Sequence, residues 1–398
     1  MHPLLLLALL SAPQQNGYGR QETPSTRRAP AKPGAWTFEG RAEGGFTYDS
    51  NVWLLDGGQR DRLEDDRPSD QASGRFDDME SVDDLVFTPD LRLEAKGPSP
   101  FGRRLTAFFD LEYAFYTQNS RRSHLDLGLG AAQAVGARGQ MELSIGFVPE
   151  LFRKNYLADA VDANANGDIA SDERIYEDGT YREWDVALEY RHDLVQRTAQ
   201  SPFGLRGALA LGLRDRTYDS PFDHRDEDAP FVRLGLRFEH GPRVKWGLRY
   251  AYEAIDAPNE PAVVLVDEIA LGQDVNGDAI LANDARAFTP VDRARVEHSI
   301  ALSFAYGLSA TVEVELTYER LLRDWESDEA LDFSHRGRED TRDEFGVALR
   351  VRMAKGWDGR IGWEWREQHT DRSDDPGGTG DTVDYKRHLI LVSAVYHW

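Results

Sequence analysis

Twelve residues, Asp162-Ala-Asn-Ala-Asn-Gly-Asp-Ile-Ala-Ser-Asp-Glu173, gather oxygen donors at a spacing that suits a hard divalent cation. Asp162, Asn164 and Asn166 fall at positions one, three and five, so alternate side chains converge on one point. Gly167 at position six permits the sharp turn that this convergence needs, and Asp168 at seven would bind through its main-chain carbonyl. Ala170 at nine leaves that place to a water, and Glu173 at twelve can close the sphere with both carboxylate oxygens. Calcium takes about six to eight such oxygens, and two carboxylates with two amides suit a site of moderate affinity. The expected metal is therefore Ca2+, held by Asp162, Asn164, Asn166, Asp168 and Glu173.

This stretch resembles the loops of EF-hand-like and dockerin-type calcium proteins, with Ile169 at position eight in the usual small-sheet contact. The resemblance covers those twelve residues and implies no EF-hand domain. A degenerate version follows at Gly272-Gln-Asp-Val-Asn-Gly-Asp-Ala-Ile-Leu-Ala-Asn283. Asp274, Asn276, Gly277 and Asp278 keep positions three, five, six and seven, but Gly272 and Asn283 replace the ligands at one and twelve. That segment reads as a turn, with metal binding as the alternative.

Both stretches lie in long connections between segments that alternate apolar and polar residues with period two, the signature of strands. The first segment sets Trp36, Phe38, Gly40, Ala42, Gly44, Phe46 and Tyr48 on one face and Glu39, Arg41 and Glu43 on the other. Others recur near Asp84 to Ala95, Arg104 to Tyr116, Ser123 to Val135, Gln140 to Pro149, Tyr181 to Arg191, Leu205 to Thr217, Phe231 to His240 and Val244 to Glu253. Val291 to Tyr306, Ala310 to Arg320, Arg342 to Ala354 and Arg360 to Gln368 continue the series. The last, Arg387 to Trp398, puts His388, Ile390, Val392, Ala394, Tyr396 and Trp398 on one face, which makes it about the fourteenth strand. Its other face carries Leu389, Leu391 and Val395, apolar for a water-filled lumen. Either an inward-folded segment packs there or the lumen is narrow.

Connections after even-numbered segments are mostly short (Gly136–Gly139, Gly241–Arg243, Gly307–Ser309, Lys355–Gly359), with His192–Gly204 a longer exception. Those after odd-numbered segments are mostly long: Leu54–Asp83, Leu151–Thr180, Ala254–Pro290, Leu321–Thr341 and Thr370–Asp381. The closing strand with its terminal aromatic, and this alternation of connection length, resemble bacterial outer-membrane β-barrels. The resemblance implies an all-β fold: one closed antiparallel transmembrane barrel of about 14 strands, with short periplasmic turns and long acidic extracellular loops. In that class the terminal strand is the signal read by the barrel-assembly machinery. The other implied partners are outer-membrane lipid, lipopolysaccharide and a small polar solute, at an outer-membrane location in a Gram-negative-type bacterium.

Residues 1–13 read as an export signal built on the apolar run Leu4 to Leu10, residues 14–35 as a disordered periplasmic linker, and residues 36–398 as the barrel. No other stretch approaches the roughly 20 apolar residues of a membrane helix. The chain has no cysteine among its 398 residues, which excludes disulfides, thiol catalysis and thiolate metal sites. A formal net charge of −23 speaks against nucleic acid as a partner. The acidic connection Leu54 to Asp84 reads as a solvated loop or as a collar that attracts cations. Arg41, Arg92, Arg233, Arg237, Arg249, Arg350, Arg352 and Arg366 would face a lumen shared with Glu39, Glu94, Glu112, Glu239, Glu313, Glu315 and Glu364. They would serve as cross-strand ion pairs, as a selectivity lining, or as both.

Enzymatic chemistry is not expected. His298 and Ser299 are adjacent in a strand, so their side chains point to opposite faces and cannot act as base and nucleophile together. The expected function is passive passage of small polar or charged solutes through a lumen gated by acidic, calcium-ordered loops. An assembly, secretion or surface-anchoring barrel without conduction is the alternative.

Overall fold

The computed structural model describes residues 35–64, 76, 78–99, 103–160, 174–198, 201–258, 260–266, 269–273, 279–282, 285–291, 293–327, 335–372 and 384–398. Nine strands lead: β1 (Thr37–Asp49), β2 (Asp84–Pro98), β3 (Arg104–Tyr116), β4 (His124–Val135), β5 (Gly139–Ala160), β6 (Arg174–Val195), β7 (Phe203–Tyr218), β8 (Glu227–His240) and β9 (Val244–Ile255). Four short strands follow: β10 (Glu260–Val266), β11 (Ile269–Gln273), β12 (Ala279–Ala282) and β13 (Ala285–Val291). Five more complete the series: β14 (Arg295–Gly307), β15 (Val312–Trp325), β16 (Arg338–Ala354), β17 (Trp357–Arg372) and β18 (Tyr385–His397). One helix, α1 (Gly57–Glu64), sits in the first long loop.

Strands β1–β9 and β14–β18 form one closed barrel of 14, each paired antiparallel with its neighbours in sequence, and β1 with β18. The expected fold class and strand count are what the chain adopts. Every main-chain donor and acceptor along a closed barrel finds a neighbouring strand, so no edge is left unpaired. At the seam the register runs from Asp49↔Leu389 to Arg41↔His397. Beyond it Gly40 and Trp398 exchange main-chain hydrogen bonds at 3.2 and 3.1 Å. The indole of Trp398 lies flat across Gly40, where a Cβ would come within 2.1 Å of the ring. A larger residue there would push the aromatic off the seam.

The two faces invert the order of a water-soluble protein. Phe46, Leu129, Leu211, Ile361 and Val392 are each at least half exposed, while Arg216, Asp340 and Arg342 inside the barrel are 1% exposed. Such a continuous exposed apolar belt is stable against lipid and not against water. No described helix is long and apolar enough to cross a membrane. Aromatic rings gather at both rims. Phe238 stacks on Trp246 at 3.6 Å and Trp357 lies 4.9 Å from Tyr396 near the short turns. His298 and His388 face outward as the alternation requires. They sit in the girdle near the long loops, beside Tyr252 at 5.3 Å and Trp363 at 6.1 Å.

Three long connections differ from expectation. Leu151–Thr180 is strand at both ends: β5 and β6 stay paired as far as Ala160↔Arg174, through register shifts at Val148/Leu151, Phe152/Asn155 and Leu157/Asp159. Each bulge adds a residue to one strand, which erases the period-two signal while pairing continues. Leu321–Thr341 is likewise shortened, because β15 and β16 pair out to Asp324↔Glu339. Ala254–Pro290 contains a nested hairpin, with β10 paired to β13 and β11 to β12.

Candidate functional site

The expected lumen charges do face inward, and many pair across strands. Arg41 meets Asp90 at 2.7 Å, Arg92 meets Asp110 at 2.7 Å, Arg249 meets Glu319 at 2.9 Å and Arg366 meets Glu344 at 2.8 Å. Glu313 takes Lys245 at 2.6 Å, and Glu315 takes Arg350 at 3.1 Å. The cross-strand reading holds for these pairs, while Arg237 pairs within its own strand with Glu239 at 2.9 Å.

A denser network lies nearer the long loops, from residues the alternation alone did not single out. Arg216 on β7 bridges Glu183 on β6 and Glu227 on β8, both at 2.7 Å. Arg295 at the start of β14 takes Glu227 at 2.9 Å and Glu297 at 3.2 Å. Arg323 on β15 joins Glu297 at 2.9 Å to Asp340 on β16 at 3.0 Å, and Arg338 closes on Asp340 at 2.8 Å. Charge alternates in sign along this relay, and every member is buried. Burial of isolated charges would be prohibitive, so the arrangement requires both signs together. The clue in the sequence is charged residues two apart at strand ends, as in Arg214-Asp-Arg216, Arg295-Val-Glu297 and Arg338-Glu-Asp340. Arg387 of β18 pairs with buried Asp49 of β1, carrying the theme across the seam.

Above the relay, the first loop folds into the barrel mouth. Val52, Trp53, Leu55 and Met79 pack with the inward-facing Val86, Ala114, Tyr116 and Phe152. Trp53 is edge-on to Phe152 at 5.8 Å, with the Arg122 guanidinium 4.7 Å above it. The Trp53 Nε1–H donates to Ser81 O at 2.9 Å and to Asn119 Oδ1 at 3.0 Å. Asn119 Oδ1 also accepts the main-chain N–H groups of Glu80 and Ser81. The Asp84 carboxylate accepts main-chain N–H groups of Thr117, Gln118 and Asn119. Asn51 donates to Leu55 O at 2.8 Å and to Lys386 O at 3.3 Å, beside the buried Leu389. The first loop thus folds inward, but the apolar cluster it forms includes none of Leu389, Leu391 and Val395 of the last strand's inner face.

Adjoining it across β5, a second apolar cluster is formed by Leu151, Tyr156, Tyr181, Tyr218 and Phe222. Phe222 is fully buried and comes from the short loop after β7. Beside it, His224 is held down at about 3 by burial and by the neighbouring Arg225 and Arg293.

The predicted calcium ligands Asp162, Asn164, Asn166, Asp168 and Glu173 lie outside the described residues, as do Asp274, Asn276 and Asp278. The strands flanking the first set are described. Ala160 pairs with Arg174, so the two ends of this connection meet, as a loop closing on an ion requires. The second set connects β11 to β12, whose pairing Gln273↔Ala279 marks it as a hairpin connection. Of the adjacent pair, His298 faces outward, its Nδ1 2.9 Å from the Tyr250 hydroxyl, while Ser299 is buried on the inner face.

A closed 14-strand antiparallel barrel with an apolar outer belt, aromatic rims and a charged interior defines an outer-membrane-type β-barrel protein. Among solved structures the chain is similar to in-vitro-folded OmpT, an outer membrane protein of Vibrio cholerae. That match has 10% identity over 94% of this chain and 100% of that one, with a TM-score of 0.42. An anion-selective porin from Comamonas acidovorans matches at 12% identity over 92% of this chain and 99% of the other, with a TM-score of 0.37. A deletion mutant of TodX, a monoaromatic hydrocarbon channel, matches at 10% identity over 92% and 91%, with a TM-score of 0.41. These likenesses concern the fold alone. No family model and no curated protein matches the chain.

Proposed function

We propose that this barrel is an outer-membrane channel for small polar or charged solutes. The observation that carries the reading is the inner wall, where arginine and carboxylate side chains from nearly every strand form ion pairs. Such a wall offers hydrogen bonds that replace a polar solute's hydration, whereas it gives an apolar solute nothing in exchange for desolvating the pairs. Pairing of opposite signs moderates the net field, which suits weak, multi-point contact over tight capture. The test is reconstitution in planar bilayers. Stable single-channel steps that saturate weakly with salt are expected. Folded, heat-modifiable protein that never conducts would overturn the channel and leave an assembly, secretion or surface-anchoring barrel, which the capped mouth favours.

Calcium belongs to the same proposal as an ordering ion for the connection between β5 and β6. Asp162→Ala and Glu173→Ala are each expected to weaken calcium affinity at least tenfold and to remove calcium-dependent protection of residues 161–173 from protease. Unchanged affinity and protection in both variants would sink the metal reading. Lipopolysaccharide and the assembly machinery enter as partners through the same outer-membrane placement.

A further inference from the structure

We propose that the loop end of the lumen holds a binding site for a tetrahedral oxyanion of the phosphate class, formed by Arg153, Arg225 and Arg293 with the phenols of Tyr156 and Tyr218. The arginines of the relay below each meet a carboxylate: Arg216 and Arg295 share Glu227, and Arg323 and Arg338 share Asp340. Among the described residues no carboxylate pairs with Arg153, Arg225 or Arg293. The three nonetheless stand together. Arg225 stacks 3.5 Å above the Tyr156 ring, and Arg153 lies 5.8 Å from the same ring. Arg153 Nη1 donates to the Tyr218 hydroxyl at 3.2 Å. Arg293 is brought alongside by Arg295, whose Nη1 donates to the Arg293 carbonyl at 3.1 Å and to Glu227, two residues from Arg225, at 2.9 Å.

Unspent donors point into the cluster. The Nε atoms of Arg225 and Arg293 and the Tyr156 hydroxyl are buried without a hydrogen-bond partner. Buried donors of this kind normally find one. Each of the three arginines keeps part of its surface uncovered. Burial and Arg293 bring Arg225 down to about 9, the behaviour of a cation lacking its counter-ion. Guanidinium forks match the paired oxygens of a phosphate, and a dianion offsets more of the clustered charge than a monocarboxylate. Stacking on Tyr156 holds the Arg225 guanidinium in place, with its Nε unpartnered.

Tyr218 continues the inner face of β7, so the cluster lies on the lumen side of the wall. The oxyanion is accordingly soluble, free or carried on a small molecule, and not the phosphate of a lipid facing the outer wall. The test is calorimetric titration of folded protein in lipopolysaccharide-free micelles with inorganic phosphate. Saturable one-site binding is expected. It should weaken at least tenfold in Arg225→Gln and in Arg293→Gln and a few-fold in Tyr156→Phe. Arg233→Gln, elsewhere in the lumen, should keep it. Heat-modifiability on gels confirms that each variant is folded. Absence of saturable binding, binding indifferent to Arg225→Gln and Arg293→Gln, or a response only to added lipopolysaccharide would each overturn the site. The readout needs no conduction, so its result stands apart from that of the bilayer experiment.

Discussion

Replacing Arg323 with Met is expected to destabilise the folded barrel by about 3 kcal/mol, the low end of the range for breaking a buried ion pair from one side. Arg323 is 6% exposed in its side chain, and its two partners are more deeply covered, Glu297 at 1% and Asp340 at 0%. Methionine fills much of the volume but supplies no donor, so two carboxylates lose a cation that water cannot readily replace. The low end applies because Glu297 keeps Arg295 and Asp340 keeps Arg338. Urea unfolding in lipid vesicles, followed by tryptophan fluorescence, gives the number. Arg320→Ala is the control. Its side chain is 51% exposed and 3.5 Å from Asp343, and exposed pairs are worth about 1 kcal/mol or less. If the two variants unfold at the same urea concentration, the relay is not what holds the loop end together. Glu297→Gln combined with Arg323→Met should recover part of the loss, since it removes one of the stranded charges.

The barrel was legible because two periods coincide: side chains alternate every residue, and the lipid outside tolerates only one of the two faces. Arg104 to Tyr116 is bounded in the sequence as it is in the structure. The reading fades where the strands leave the membrane. Beyond Val148 both faces of β5 become mixed and bulges shift the register, so a strand of 22 residues looks like a loop. The relay escaped notice for the same reason. Arg323, Asp340 and Glu297 sit in strand ends where apolar neighbours no longer mark the inner face. The cap of the mouth is a harder case. Trp53 meets Asn119 across 66 positions of sequence, and neither residue belongs to a periodic segment. Nothing local distinguishes such a contact from two unrelated loop residues. Eight lumen arginines were visible one by one, but Arg153, Arg225 and Arg293, which lack a carboxylate among the described residues, were not among them. Whether an arginine meets a carboxylate depends on which strands are adjacent and on the level at which each side chain enters.

Truncation of Trp53 to Ala should release the first loop from the mouth and raise single-channel conductance. The indole is 5% exposed, packed edge-on to Phe152, covered by Arg122 and hydrogen-bonded to Ser81 and Asn119. Losing a buried tryptophan costs about 3–5 kcal/mol of packing. The barrel wall itself keeps its strand pairing, so the loss falls on docking of the loop. At about 1.4 kcal/mol per decade, that shifts the docking equilibrium by roughly two to three and a half decades. Arg122 would also lose the ring beneath it, and Asn119 one of the donors it gathers. Two readouts separate this from a general loss of fold. Trypsin should cut at Arg60 in the variant and spare it in the parent, while heat-modifiability is unchanged in both. Conductance should rise in the same protein, because Val52, Trp53, Leu55 and Met79 no longer fill one side of the mouth. A loop that becomes cleavable with no change in conductance would mean that the cap does not limit flow. The restriction would then lie deeper, at the relay, where Arg216, Arg295 and Arg323 reach inward from adjacent parts of the wall.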